Sequence, residues 1–131
     1  MPINLDNEFA LHGRALNVAS QRLGLLANNV ANADTPGYKA RDVDFKAAMQ
    51  NVAKNAPAMQ VTHDKHIGLP SAGSRAEVLY RVPTQPSMDG NTVDAQQETS
   101  AVAETTVRYQ ATLTFLNAKI RGLRLAITGG Q

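Results

Sequence analysis

The chain has 131 residues, no cysteine, only 5% aromatic residues and a formal net charge of +2. That length holds one domain and little more. The missing thiols exclude disulfides and thiolate metal sites, and the small, scattered charge gives no footprint for nucleic acid.

Hydrophobic residues make up 43% of the chain, but Trp is absent and Phe and Tyr number three each. Large side chains contribute roughly 1.5–3 kcal/mol each on burial, so a chain this poor in them builds a thin core. It is either marginal as a monomer or completes its core with other subunits. No apolar run approaches the roughly 18 residues of a membrane helix. The N-terminus, Met1-Pro2-Ile3-Asn4-Leu5-Asp6, lacks the basic and apolar regions of a secretory signal. Those features alone read as cytoplasmic, and leave open export by a route without a cleaved signal.

Residues 5–34 carry a heptad pattern. Phe9, Leu16, Leu23 and Val30 form one row, and Leu5, His12, Ala19, Leu26 and Ala33 form the other. This a/d spacing predicts an amphipathic helix with a narrow seam. His12 is its polar interruption, and the adjacent Gly13 weakens the helix by about 1 kcal/mol relative to Ala. The helix must stop near Asp34, because Pro36 forces Thr35 out of the helical region. Pro36-Gly37 in Thr35-Pro36-Gly37-Tyr38 predicts a type II turn with Gly37 at positive φ.

Residues 35–93 are irregular. Asp44 to Asn55 is expected to form a short helix capped by Asp44, burying Phe45, Met49 and Val52. Met59 to Val61 and Glu77 to Val82 read as short strands. Ile67 to Ser74 and Pro83 to Gly90 read as loop and linker. From residue 94 to 128 the helical period returns, with Ala95, Val102, Tyr109, Leu116 and Leu123 in one row. Thr99, Thr106, Leu113, Ile120 and Ile127 form the second. Asp94 with Gln97 resembles a capping box, and Gly129-Gly130 ends the helix. The fold class is mainly α: two long terminal helices packed as an antiparallel, coiled-coil-like pair around a small irregular or β middle.

Chemistry-bearing clusters are scarce. His63, Asp64 and His66 are the one group with a metal-like spacing, but they lack a third strong ligand; a solvated loop is the simpler reading. No nucleophile–base pair or phosphate-binding glycine loop is present. Asp42 and Asp44 read as a solvated pair or a helix cap. The sequence therefore points away from an enzyme, a cofactor, a bound metal or a small-molecule substrate.

The informative stretch is Asn28-Asn29-Val30-Ala31-Asn32-Ala33-Asp34-Thr35-Pro36-Gly37-Tyr38. Three asparagines in one helical turn cost about 1–2 kcal/mol in propensity relative to Ala. They are either a fraying helix end or amides that bond to the turn or to a neighbouring subunit. The same stretch resembles the N-terminal signature of the flagellar rod and hook axial proteins. The likeness continues through Lys39-Ala40-Arg41-Asp42-Val43-Asp44-Phe45, Leu79-Tyr80-Arg81-Val82-Pro83, Asp89-Gly90-Asn91-Thr92-Val93-Asp94, Arg108-Tyr109-Gln110 and Ile120-Arg121-Gly122-Leu123. These blocks are closer to the proximal rod members than to the others.

The resemblance implies a structural subunit, exported by the flagellar type III apparatus and packed helically in the proximal rod within the periplasmic space. Its implied neighbours are other copies and rod proteins, the adaptor FliE, the MS ring and the export gate; nucleic acid is not among them. A cytoplasmic helical-hairpin adaptor or chaperone is the competing reading. The narrow seams further predict terminal helices that are largely disordered in the isolated monomer. They also predict that Gly37→Val impairs assembly more than Ala40→Val does.

Overall fold

A computed structural model describes residues 5–53 and 76–129. In chain order these form α1 (Leu5–Ala31), β1 (Arg41–Val43), α2 (Phe45–Ala53), β2 (Val78–Tyr80) and α3 (Ala95–Thr128). The expected strand at 59–61, the loop at 67–74 and the His63/His66 pair lie outside the described residues.

The helix α1 ends at Ala31, a turn earlier than the seam suggested. Beyond it the bonding tightens to three-residue steps, Asn32 N–H to the Asn29 carbonyl and Ala33 N–H to that of Val30. The Pro36-Gly37 turn closes with Tyr38 N–H on the Thr35 carbonyl at 3.3 Å, and Gly37 sits at φ 73°. That is the left-handed conformation only glycine adopts without strain.

Asp44 caps α2 through its side chain, accepting from Ala47 N–H at 2.9 Å. Asp94 caps α3 by accepting from the N–H groups of Gln96 and Gln97. The reciprocal half of that capping box is not made: the Gln97 amide turns to the Thr84 hydroxyl at 3.5 Å. Gly129, at φ 71°, closes the C-terminus of α3 in the left-handed conformation, as glycine commonly does at that position.

The two long helices pack against each other and run antiparallel: Asn29 of α1 meets Glu98 of α3, while Arg22 lies within the field of Glu104. The strands β1 and β2 pair antiparallel, Arg41 with Tyr80 and Val43 with Val78, and form a small knob at the turn end of the helix pair. The buried apolar residues described are Val18, Ala19, Leu26, Ala40 and Val43. This is the thin core that the scarcity of aromatics predicts.

Candidate assembly site

Four charged residues from four parts of the chain meet where the knob joins the helices. Arg22 of α1 donates to both oxygens of the Asp42 carboxylate in β1, at 2.9 and 3.1 Å. Arg81, just past β2, donates one nitrogen to Asp42 at 2.6 Å and another to Glu98 of α3. Glu98 is fully buried and also accepts from the Asn29 amide at 3.2 Å. Burial pushes the Asp42 carboxyl up, but hydrogen bonds from Arg22, the Val43 amide and Arg81 outweigh it and hold the group below its ordinary 3.8. The hydrogen bond to Asp42 leads the effects that raise Arg22 above its ordinary value.

Asn29 is the centre of this arrangement. Its amide nitrogen donates to the Arg41 carbonyl at 2.8 Å, and its oxygen accepts from Arg41 N–H at 3.1 Å and from the Tyr38 hydroxyl at 3.4 Å. The side chain thus bonds the main chain of β1 as a neighbouring strand does. Two helical turns earlier, Gln21 does the same to Ala76, donating to its carbonyl and accepting from its N–H at 2.9 and 3.0 Å. One face of α1 therefore holds a main-chain position on either strand-bearing segment.

The end of α1 is closed from a distance. The amide of Asn91, itself buried, donates to the carbonyls of Asn32, Ala33 and Thr35 at 2.6–3.1 Å. These carbonyls lie just past the last turn, where an α-helix leaves its acceptors unpaired. Gly37 N–H bonds the Asp89 carbonyl, Thr92 N–H the Tyr38 carbonyl, and Lys39 reaches the Gly90 carbonyl at 2.7 Å. The turn after α1 and the linker before α3 are in this way one tied unit.

Of the signature residues, Asn29 is buried, Asn32 and Tyr38 are half-buried, and Asn28, Asp34, Thr35, Pro36 and Gly37 are exposed. Asn28 and Asn32 are linked through Asn32 Nδ2 and the Asn28 carbonyl. Along the seams, Leu26 is buried. Phe9, Leu16, Leu23, Val102, Tyr109, Leu113, Leu116 and Leu123 are half-buried, and Val30, Ile120 and Ile127 are exposed.

The second packed row of α3 is Glu98, Thr105, Thr112 and Lys119, all buried or half-buried. It stands one position around from the expected row of Thr99, Thr106, Leu113, Ile120 and Ile127, of which Thr106 and Leu113 are half-buried and the rest exposed. The bonds to Glu98 roll the helix that way. Asp42 is a member of the charged cluster rather than a solvated neighbour of Asp44, a role that no local pattern in the sequence betrays. Arg22, Arg81, Glu98, Gln21 and Asn91 were likewise unmarked as contacts, because long-range pairing between lone charges and amides leaves no periodic trace.

The model of the family described as "Flagella basal body rod protein" matches residues 10–39, the segment that holds Asn29 and the turn. Over its whole length the chain is 43% identical to the flagellar basal body rod protein FlgB of Aeromonas hydrophila, covering all of both chains. The chain belongs to the FlgB family of flagellar basal body rod proteins. It is 41% identical to the FlgB of Salmonella typhimurium, over 97% of each chain. It is also 40% identical to that of Proteus mirabilis, over 96% of this chain and 97% of the other. As a FlgB-family member it is a structural subunit of the basal-body rod, and the adaptor or chaperone reading is not favoured.

Proposed function

We propose that this subunit assembles helically through its two terminal helices in the proximal part of the rod. Among the described residues only five apolar side chains are buried, whereas twelve large ones stand exposed along α1, the knob and α3. That imbalance carries the reading: it is the surface of a protein whose remaining core lies in its neighbours. The contacts are made by the seam residues that stay half-buried or exposed, notably Phe9, Leu16, Val30, Leu113, Ile120 and Ile127, and by the exposed turn from Asp34 to Gly37. The charged cluster sets the angle between knob and helices, and the subunit has no catalytic role.

Other rod proteins, FliE, the MS ring and the export gate are the neighbours this position implies. Passage through the flagellar export apparatus without a cleaved signal delivers the chain to the periplasmic space. Electron microscopy of basal bodies from an in-frame deletion tests the assignment. Membrane rings without a rod, in non-motile cells rescued by the intact gene, are expected; complete rods in swimming cells would refute it.

A further inference from the structure

Asp–Gly occurs once in the chain, at Asp89-Gly90, and Asn–Gly not at all; every other aspartate precedes a residue with a side chain. The fold leaves little choice at position 90. Gly90 sits at φ 75°, in the left-handed region that favours glycine. The exposed Asp89 is thus followed by a nitrogen that no side chain shields from its carboxyl group. Native bonds hold the two groups apart. Gly90 N–H donates to the Ser87 carbonyl at 3.2 Å. Asp89 Oδ1 accepts from the Ser87 hydroxyl at 2.7 Å and from Asn91 N–H at 3.0 Å. The Ser87 bond leads the effects that keep the Asp89 carboxyl below its ordinary value, and an ionised carboxylate has no hydroxyl to expel. The main chain is anchored on both sides. The Asp89 carbonyl accepts from Gly37 N–H at 2.9 Å, and the Gly90 carbonyl from Lys39 Nζ at 2.7 Å.

We infer that Asp89-Gly90 is a site of spontaneous isoaspartate formation that the native turn suppresses, so that a chain kept waiting unfolded is chemically marked there. The Gly90 nitrogen bonds to Asp89 Cγ as the Cγ–OH bond breaks, and the hydroxyl leaves with the amide proton as water. The product is a five-membered succinimide. Water then adds to the main-chain carbonyl carbon of Asp89, whose bond to the Gly90 nitrogen breaks. The chain now runs through Cβ and Cγ, one atom longer, and carries a free α-carboxylate. One water is lost and one regained, with no oxidant or other reactant. The extra atom falls within the unit that ties the turn after α1 to the linker before α3. It displaces the carbonyl bonded by Gly37 and offsets Asn91, whose amide holds the carbonyls of Asn32, Ala33 and Thr35. A marked chain therefore loses the closure at the end of α1.

The test warms the full chain at neutral pH, in buffer and in guanidinium, and follows isoaspartate in the tryptic peptide 82–108 by electron-transfer mass spectrometry. Conversion at Asp89 should run at least about tenfold faster in denaturant, because reaction in the folded chain waits for local opening. In denaturant it should also outrun Asp94, in the same peptide, severalfold. Ser87→Ala removes one of the bonds that hold the carboxylate and should raise the rate in buffer severalfold, with the rate in denaturant unchanged. The isoaspartyl chain, separated and refolded, should melt lower and exchange its amides faster over 32–38. Equal rates in buffer and denaturant would overturn the inference, as would conversion at Asp89 no faster than at Asp94. A Ser87→Ala rate in buffer equal to that of the parent chain, or an isoaspartyl chain that melts like the parent, would also count against it.

Discussion

Asn28 and Asn29 in the last turn of α1, and Asn32 just past it, differ in everything that follows from burial. Asn29 is fully buried and holds β1, Tyr38 and Glu98 together. Asn29→Ala leaves several buried groups short of a partner and should cost about 2–3 kcal/mol. Asn28→Ala, on the exposed side, should be neutral or stabilise by about 0.5 kcal/mol through helix propensity. Denaturant melts of the two variants check this, and similar losses in both would contradict it.

The Asp42 carboxyl makes a pH prediction of definite sign. Because its folded value lies below 3.8, it contributes stability that is fully present above its unfolded value and is lost as pH falls through the lower folded one. The thermal midpoint should therefore drop below about pH 4, and drop less in Asp42→Asn. At Gly37 an added Cβ meets nothing within 4 Å, so Gly37→Val acts through its positive φ alone. Ala40 proves a poor reference for it. That residue is fully buried, so Ala40→Val overpacks the knob, which typically costs 1–3 kcal/mol. The exposed Ala31 is the better comparison.

At the scale of the elements, the long helices and their caps were readable from period and punctuation. Asp44, Asp94, Gly37 and Gly129 each occupy the position that local rules assign them. What the heptads could not supply was the roll of α3. A row of Thr and Glu facing α1 is chosen by partners that lie far along the chain, Asn29 and Arg81, and no window of α3 contains them. The strand β1 escaped notice for the same reason, since three residues pair only because β2 is placed beside them.

Gly13 and Gly24 pose a question of their own, for a Cβ at either meets nothing within 4 Å. Gly24→Ala should raise the helical stability of the free subunit by about 0.5–1 kcal/mol. If α1 packs closely on a neighbour, motility should fall even as the monomer melts higher; unchanged swimming would show that the space beside Gly24 stays open in the rod. Asn91→Ala should fray the end of α1 and cost about 1–3 kcal/mol, seen as faster amide exchange over 29–38.

For the whole molecule, the expectation of terminal helices disordered in the free state takes a graded form. The charged cluster, the Asn29 and Gln21 bonds and the buried Val18, Ala19 and Leu26 all lie toward the knob end. The far end of α3 exposes Ile120, Leu125 and Ile127. Amide exchange in dilute monomer should be slow around 18–29 and 98–109 and fast beyond Leu113, because local opening follows contact density. Uniform protection along α3 would rule this out, as would complete loss of it near Glu98.

The cluster of Arg22, Asp42, Arg81 and Glu98 makes the helix pair a lever with its fulcrum at one end. From Glu98 to Thr128 the helix extends about 45 Å at 1.5 Å per residue. A tilt of about 5° at the fulcrum carries the tip some 4 Å sideways at that length, about the width of a methyl group. One rigid shoulder can thus meet neighbours that are not equivalent by swinging its arm, with no side chain at the fulcrum changing its partner.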